Sequence, residues 1–180
     1  MIERALTIKG WMSHNELMWL ADRASKHHTI VEVGSYCGRS TRALGDNCPG
    51  VVHAVDSWPD VAAIGPRQTT TDCDIRTYDI FKLNLDDLLQ TGAVIAHRSK
   101  FVEGLFPAKS IDMVFIDGDH TEKAVLDDIQ VALKVLKPGG LLCGHDYDVV
   151  SKAVYSSLTG VQRMRAPKSG SIWWTNDTQS

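Results

Sequence analysis

The sequence predicts an α/β fold: a single domain, residues 1–180, with a doubly wound, mostly parallel seven-stranded sheet and an antiparallel edge strand. Three observations point there. Short β-branched runs alternate with longer stretches of helical period, the pattern of βα units on a parallel sheet. Neither an internal repeat nor a low-complexity segment interrupts the alternation, and no linker divides the chain. Glycine or polar residues follow most of the expected parallel strands, where open α/β sheets place their ligands.

Taken in order, Ser13 caps a first helix, with Glu16 completing a capping box and Leu17, Leu20, Ala21 and Ala24 at helical spacing. Thr29–Val33 reads as a buried parallel strand. It runs into Gly34-Ser35-Tyr36-Cys37-Gly38-Arg39-Ser40 and a short helix ending near Gly45. Val51–Val55 is the second strand, closed by Asp56. Between Ser57 and Thr77, Pro59, Gly65, Pro66 and a threonine run read as a mobile loop, and its length suggests function. Thr77–Leu89 is helical, Ala93–Ala96 is the third strand, and Ile111–Ile116 is the fourth, ending at Asp117. Glu122–Leu136 is the plainest helix, with Val125, Ile129, Ala132, Leu133 and Leu136 on one face. Lys137-Pro138-Gly139-Gly140 stops it, a glycine supplying the left-handed turn. Leu141–Cys143 is the fifth strand, followed by Gly144-His145-Asp146-Tyr147 and a last helix over Val149–Leu158. Val161–Met164 and Ser171–Thr175 close as an antiparallel hairpin on the sheet edge.

A net charge of −3 gives no general attraction for a polyanion, so a nucleic-acid partner is not expected. No apolar run approaches the ~20 residues that span a membrane, and Met1–Gly10 lacks a signal-peptide core. Cys37, Cys48, Cys73 and Cys143 are scattered without metal-ligand spacing, which suits reduced thiols in the cytoplasm. The composition leaves a homo-oligomer open.

Gly34 and Gly38 let backbone approach a ligand with no Cβ in the way. Asp56, about 20 residues further on, is placed to accept from a ribose diol. A dinucleotide site asks for a second glycine where Tyr36 stands, so a pyrophosphate is poorly served. A nucleoside carrying positive charge and no phosphate suits Glu32 beside the loop.

These motifs resemble the class I S-adenosylmethionine-dependent methyltransferases, in the branch of small O-methyltransferases related to antibiotic-tailoring enzymes and catechol O-methyltransferase. The resemblance runs from about Gly10 to Trp174 and rests on five stretches in order. They are Val31-Glu32-Val33-Gly34-Ser35-Tyr36-Cys37-Gly38-Arg39-Ser40-Thr41, Val55-Asp56-Ser57-Trp58, Phe115-Ile116-Asp117-Gly118-Asp119-His120, Leu136-Lys137-Pro138-Gly139-Gly140 and Gly144-His145-Asp146-Tyr147. It implies S-adenosylmethionine as cofactor, with Glu32, Gly34, Ser35, Gly38 and Ser40 along its methionine and ribose portions. It also implies Asp56 and Ser57 at the ribose, Trp58 and Ser99 at the adenine, and Asp117 beside the cofactor. The residues before Ser99 are His97-Arg98, where relatives more often carry Gly-Asp. Metal-dependent relatives use carboxylates at the places of Asp117 and of the pair His145-Asp146. The resemblance therefore extends to a site for Mg²⁺ or a similar divalent cation made by Asp117, His145 and Asp146.

The expected reaction moves a methyl group to a hydroxyl of a small molecule, with His145 or His120 taking the proton. Nitrogen acceptors on nucleic acid are disfavoured, because Asp117-Gly118-Asp119-His120 stands where an Asn/Asp-Pro-Pro-Tyr run is usual. Two other readings remain: a module that binds the cofactor without chemistry, since little chain is left for a substrate lid beyond the segment before Ser13 and that from Ser57 to Thr77, and a nicotinamide-dependent oxidoreductase. Asp119 is equally placed to cap the helix that follows. Trp11, Trp173 and Trp174 are expected in packing or interfaces.

Overall fold

In the computed structural model the described residues are 1–58, 77–164 and 171–175. The loop expected between Ser57 and Thr77 falls almost wholly outside them, as does Cys73. Ser13 behaves as its position suggests. Its hydroxyl accepts from the Glu16 N–H, Glu16 Oε2 accepts from the Ser13 N–H at 2.7 Å, and α2 (His14–Ala24) starts there. A one-turn helix α1 (Glu3–Leu6) precedes it, unannounced by any periodic pattern.

Strand β1 (Thr29–Val33) leads to α3 (Arg39–Gly45), β2 (Val51–Asp56), α4 (Thr77–Thr91), β3 (Val94–Arg98) and β4 (Ile111–Ile116). Helix α5 (Glu122–Val135), strand β5 (Leu136–Gly144), helix α6 (Tyr147–Ser157) and strands β6 (Gln162–Arg163) and β7 (Trp173–Thr175) complete the chain. All seven strands form one sheet in the order β3-β2-β1-β4-β5-β7-β6. Strands β1 to β5 pair in parallel, whereas β7 runs antiparallel to β5 and β6 antiparallel to β7.

Alternation along the strands sorts the core into two layers. Ile30, Ala54, Met113 and Phe115 bury against Leu17, Leu20, Leu44, Phe81 and Leu85 of α2, α3 and α4. Val31, Val33, Val114 and Ile116 bury against Val125, Ile129, Val150 and Val154 of α5 and α6. Helices thus cover both faces, as a doubly wound sheet requires.

The structure departs from the sequence reading at α5. Leu133 is exposed, and Leu136 opens β5 instead of closing the helix. The stretch Lys137–Gly140 is a bulge inside β5: Ile111 pairs with Leu136 and Met113 with Leu141. Gly139 does take the left-handed turn at φ +76°. Asp112 secures this end of the sheet, accepting from Lys137 Nζ at 2.6 Å and from the Thr29 N–H at 2.8 Å.

Candidate functional site

Strand order reverses between β1 and β4, and ligands of open α/β sheets bind beyond the carboxyl ends at such a point. A cavity of about 950 Å³ occupies that place. Gly34, Ser35, Ser40, Asp56, Ser57, Ser99, Asp117, His120, His145 and Asp146 all line it.

Gly34 sits at φ +88°, and a Cβ there would stand 2.2 Å from the Asp117 carbonyl oxygen. Only glycine lets the loops after β1 and β4 meet at the cavity floor. Asp56 Oδ2 accepts from the Tyr36 N–H at 2.9 Å and Oδ1 from the Trp58 N–H at 2.8 Å. Both oxygens are thereby fixed in place, each with a lone pair left for a ligand. Ser99 Oγ is buried in the cavity wall and makes no hydrogen bond.

Three expected contacts fall behind the wall. Glu32 is fully buried, with Oε2 accepting from Ser35 Oγ at 2.6 Å and from Thr41 Oγ1, while Oε1 has no partner. Burial drives its carboxyl up to about 7 against the pull of the Ser35, Ser40 and Thr41 hydroxyls, and the Asp117 charge adds to the rise. Glu32 therefore sets the loop and its field from below. Gly38, at φ +91°, serves packing: a Cβ would lie 2.2 Å from Leu85 Cδ2. Trp58 is a core residue, its ring buried against Tyr78 and Phe81 and its Nε1 donating to Tyr36 O at 2.8 Å. Its indole N–H is satisfied by the chain itself.

At the ends of β4 and β5 four charged groups converge. His145 is 7% exposed, with Nε2 3.1 Å from Glu16 Oε1 and Nδ1 3.5 Å from Asp117 Oδ1 and 3.4 Å from Asp146 Oδ2. Burial works to lower the His145 pKa, but the bonds to Asp117, Asp146 and Glu16 outweigh it and hold the ring as imidazolium. Burial likewise works to raise Glu16, yet hydrogen bonds from His145, Ser13 and Ser171 hold it at about 2. The pair is a buried strut joining α2 to β5.

His120 takes the open position on the cavity wall. Its side chain is 43% exposed, and Nε2 lies 3.1 Å from Asp146 Oδ2 and 3.7 Å from Asp117 Oδ1. The neighbouring Asp117 carboxylate raises its pKa, burial opposes, and the charge of Asp146 adds to the rise. Donor atoms of Asp117, His120 and Asp146 lie within 4.8 Å of one another. His120 thus joins the expected pair Asp117 and Asp146, while His145 Nε2 is paired with Glu16 behind them. Asp119 accepts from the Thr121 N–H at 2.9 Å, and Thr121 caps α5.

The segment before Ser13, expected as material for a lid, supplies part of the wall. The segment Lys9–Met12 borders the cavity, strapped down by Arg39, which donates to Ile8 O at 2.6 Å and to Met12 O at 3.1 Å. Exposed Trp11 sits on this strap with its ring 5.0 Å from that of Tyr36, whereas Trp173 is buried as expected. Sequence reasoning missed Asp128 of α5, which also lines the cavity. A carboxylate among the apolar positions of a helix was its only signal.

Residues 31–147 match a family model described as a methyltransferase domain. Among solved structures, the chain is similar to an O-methyltransferase from Bacillus cereus in complex with SAH. That match has 15% identity and a TM-score of 0.64, covering 94% of this chain and 84% of that one. TomG, an O-methyltransferase of Streptomyces achromogenes involved in tomaymycin synthesis and solved with SAM, matches at 17% identity and a TM-score of 0.62, over 91% of this chain and 79% of that one. A ribosomal protein L11 methylase from Lactobacillus delbrueckii subsp. bulgaricus matches at 14% identity and a TM-score of 0.63, over 93% and 80%. At these identities the likeness speaks for the fold alone. The sequence matches none of the curated proteins.

Proposed function

The chain belongs to the methyltransferase domain family, and from that premise we propose that it moves the methyl group of S-adenosylmethionine to a hydroxyl of a small molecule. The observation that carries this reading is the set of unfilled polar groups around a floor only glycine permits. Gly34 brings the β1 and β4 loops together, Asp56 is fixed at β2, and Ser99 Oγ has no partner. Residues 1–180 are read as one such domain, with α1, α2, β6 and β7 closing the family core at either end.

The cavity suits S-adenosylmethionine better than a dinucleotide. A pyrophosphate needs an open helix amino terminus. Here Gly38 at the start of α3 faces Leu85, and its N–H is taken by Ser35 O at 2.8 Å. Carboxyl groups at Asp56, Asp117 and Asp146 line the cavity and favour a cationic ligand, with Glu32 buried beneath them.

In the reaction the acceptor oxygen forms a bond to the methyl carbon as the carbon–sulfur bond breaks. S-adenosylhomocysteine (SAH) leaves as a neutral thioether, and the hydroxyl proton must go to a base. His145 is 7% exposed, with its two nitrogens turned to Glu16, Asp117 and Asp146, which suits it less to that role than the more open His120. His120 gives its Nε2–H to Asp146, which leaves Nδ1 to take the proton, a dyad of the kind used in general-base catalysis. Asp117 and Asp146 stabilise the imidazolium that forms. The two carboxylates and His120 also fit a divalent cation, which would lower the proton affinity of the acceptor hydroxyl. Much of the remaining rate enhancement comes from alignment of acceptor, methyl and sulfur.

A small acceptor is supported by the strapped Lys9–Met12 rim and by a chain without the basic stripe a nucleic acid requires. A reducing cytoplasmic setting suits the scattered spacing of Cys37, Cys48, Cys73 and Cys143. No helix among those residues is long and apolar enough to cross a membrane. The test is a panel of phenols, sugars, hydroxy acids and amines incubated with S-adenosylmethionine and assayed for SAH. Turnover of a hydroxyl compound supports the reading, and turnover of amines alone overturns the oxygen assignment.

A further inference from the structure

Two elements of the cavity wall are tied together by an ion pair. One is the segment 99–103 after β3; the other is α5. Lys134 Nζ of α5 binds Glu103 Oε2 at 2.6 Å, so the two are pinned side by side. Each carries a polar group that the chain leaves unmatched. On the segment it is the buried Ser99 Oγ.

On the helix it is Asp128. This carboxyl lines the cavity between Ala124 and Val131, and the nearest lysines of α5 are committed elsewhere, Lys123 to Asp127 at 2.6 Å and Lys134 to Glu103. Burial, then the charges of Asp127 and Asp119, push it up to about 7, with no hydrogen bond pulling it down. A half-buried acceptor with no donor is a mismatch that a ligand donor relieves.

The separation suits a purine. A Cβ at Gly118 would lie 3.9 Å from Asp128 Oδ2 and 3.6 Å from Val33 Cγ1, which puts Asp128 above the end of β1. Ser99 follows Arg98, the register partner of Asp56 on β2. From β1 to β3 is two strand spacings, ~10 Å, and a purine with a hydrogen bond at each edge spans that gap. Resting on the cofactor reading above, we infer that Asp128 accepts from the 6-amino group of the cofactor's adenine, with Ser99 bonding the opposite edge of the base. A bound amino donor favours the ionised form of Asp128, which offers only acceptors, so Asp128 then selects an amino over an oxo substituent above the pH at which it ionises.

Calorimetry with SAH and with its deaminated analogue, S-inosylhomocysteine, tests this without turnover. The wild-type chain should bind SAH ~10-fold or more tightly over the analogue. Asp128→Ala should lose that preference through weaker SAH binding. The near-isosteric Asp128→Asn offers an amide donor to the 6-oxo group and should shift the preference toward the analogue. Unfolding midpoints measured alongside keep folding and binding apart. An unchanged ratio in both folded variants overturns the inference and leaves the cofactor reading intact. Failure of wild type to bind SAH overturns both.

Discussion

Removing the His145 side chain should cost stability before it costs chemistry. In the native chain the imidazolium is 7% exposed and faces a Glu16 carboxylate that is 1% exposed, 3.1 Å away. His145→Ala strands that carboxylate without its countercharge. Glu16 keeps donors from the Ser13 N–H at 2.7 Å, Ser13 Oγ at 2.8 Å and the Ser171 N–H at 3.1 Å. Breaking a buried pair from one side costs ~3–5 kcal/mol, and those remaining donors argue for the lower end, ~3 kcal/mol. For a domain of this size the thermal midpoint should fall by ~6–12 °C. Urea denaturation at constant m-value is the assay. The acid limb supplies a sign. Glu16 is held at about 2 against an ordinary 4.5, so its contribution is present above pH 4.5 and is lost as pH falls through 2. The gap between wild type and His145→Ala should therefore close over that interval. A variant within ~0.5 kcal/mol of wild type that has lost turnover would refute the strut and return His145 to the role of base.

Asp56→Ala should weaken SAH binding by ~2 kcal/mol, about 30-fold, through loss of an acceptor for the ribose hydroxyls; unchanged affinity by calorimetry in a folded variant would remove Asp56 from the site. Gly34→Ala places a Cβ 2.2 Å from the Asp117 carbonyl in a left-handed backbone, and should lower stability and SAH affinity together, measured by urea midpoint and titration. His120→Ala should reduce kcat by ~10²-fold while SAH affinity stays constant, and equal turnover in both proteins would move the base elsewhere.

Local rules carried most of the fold. Ser13 with Glu16, the apolar run Ile111–Ile116 and the core positions Val125, Ile129 and Ala132 of α5 are each decided by neighbours in sequence, and the structure keeps them. The bulge in β5 is decided by its register with β4 and by Asp112 holding Lys137, neither of which a linear pattern contains. The same divide runs through the site. Gly34 and Asp56 were readable because strand ends impose their place. Trp58 and Gly38 were misplaced because Tyr78, Phe81 and Leu85, which claim them, lie on a helix beyond the stretch after Ser57. His145 carries the same lesson: its charge state depends on Glu16, far away in sequence, whose capping role with Ser13 gave no hint of a second partner.

The central claim, a methyltransferase site for S-adenosylmethionine, is tested most directly by thermal unfolding of the chain with SAH and with NAD. At a SAH concentration of 100 times its dissociation constant the folded state should gain ~2.7 kcal/mol, a rise in midpoint of ~5–11 °C, with NAD giving none. A rise with NAD and none with SAH would contradict the account.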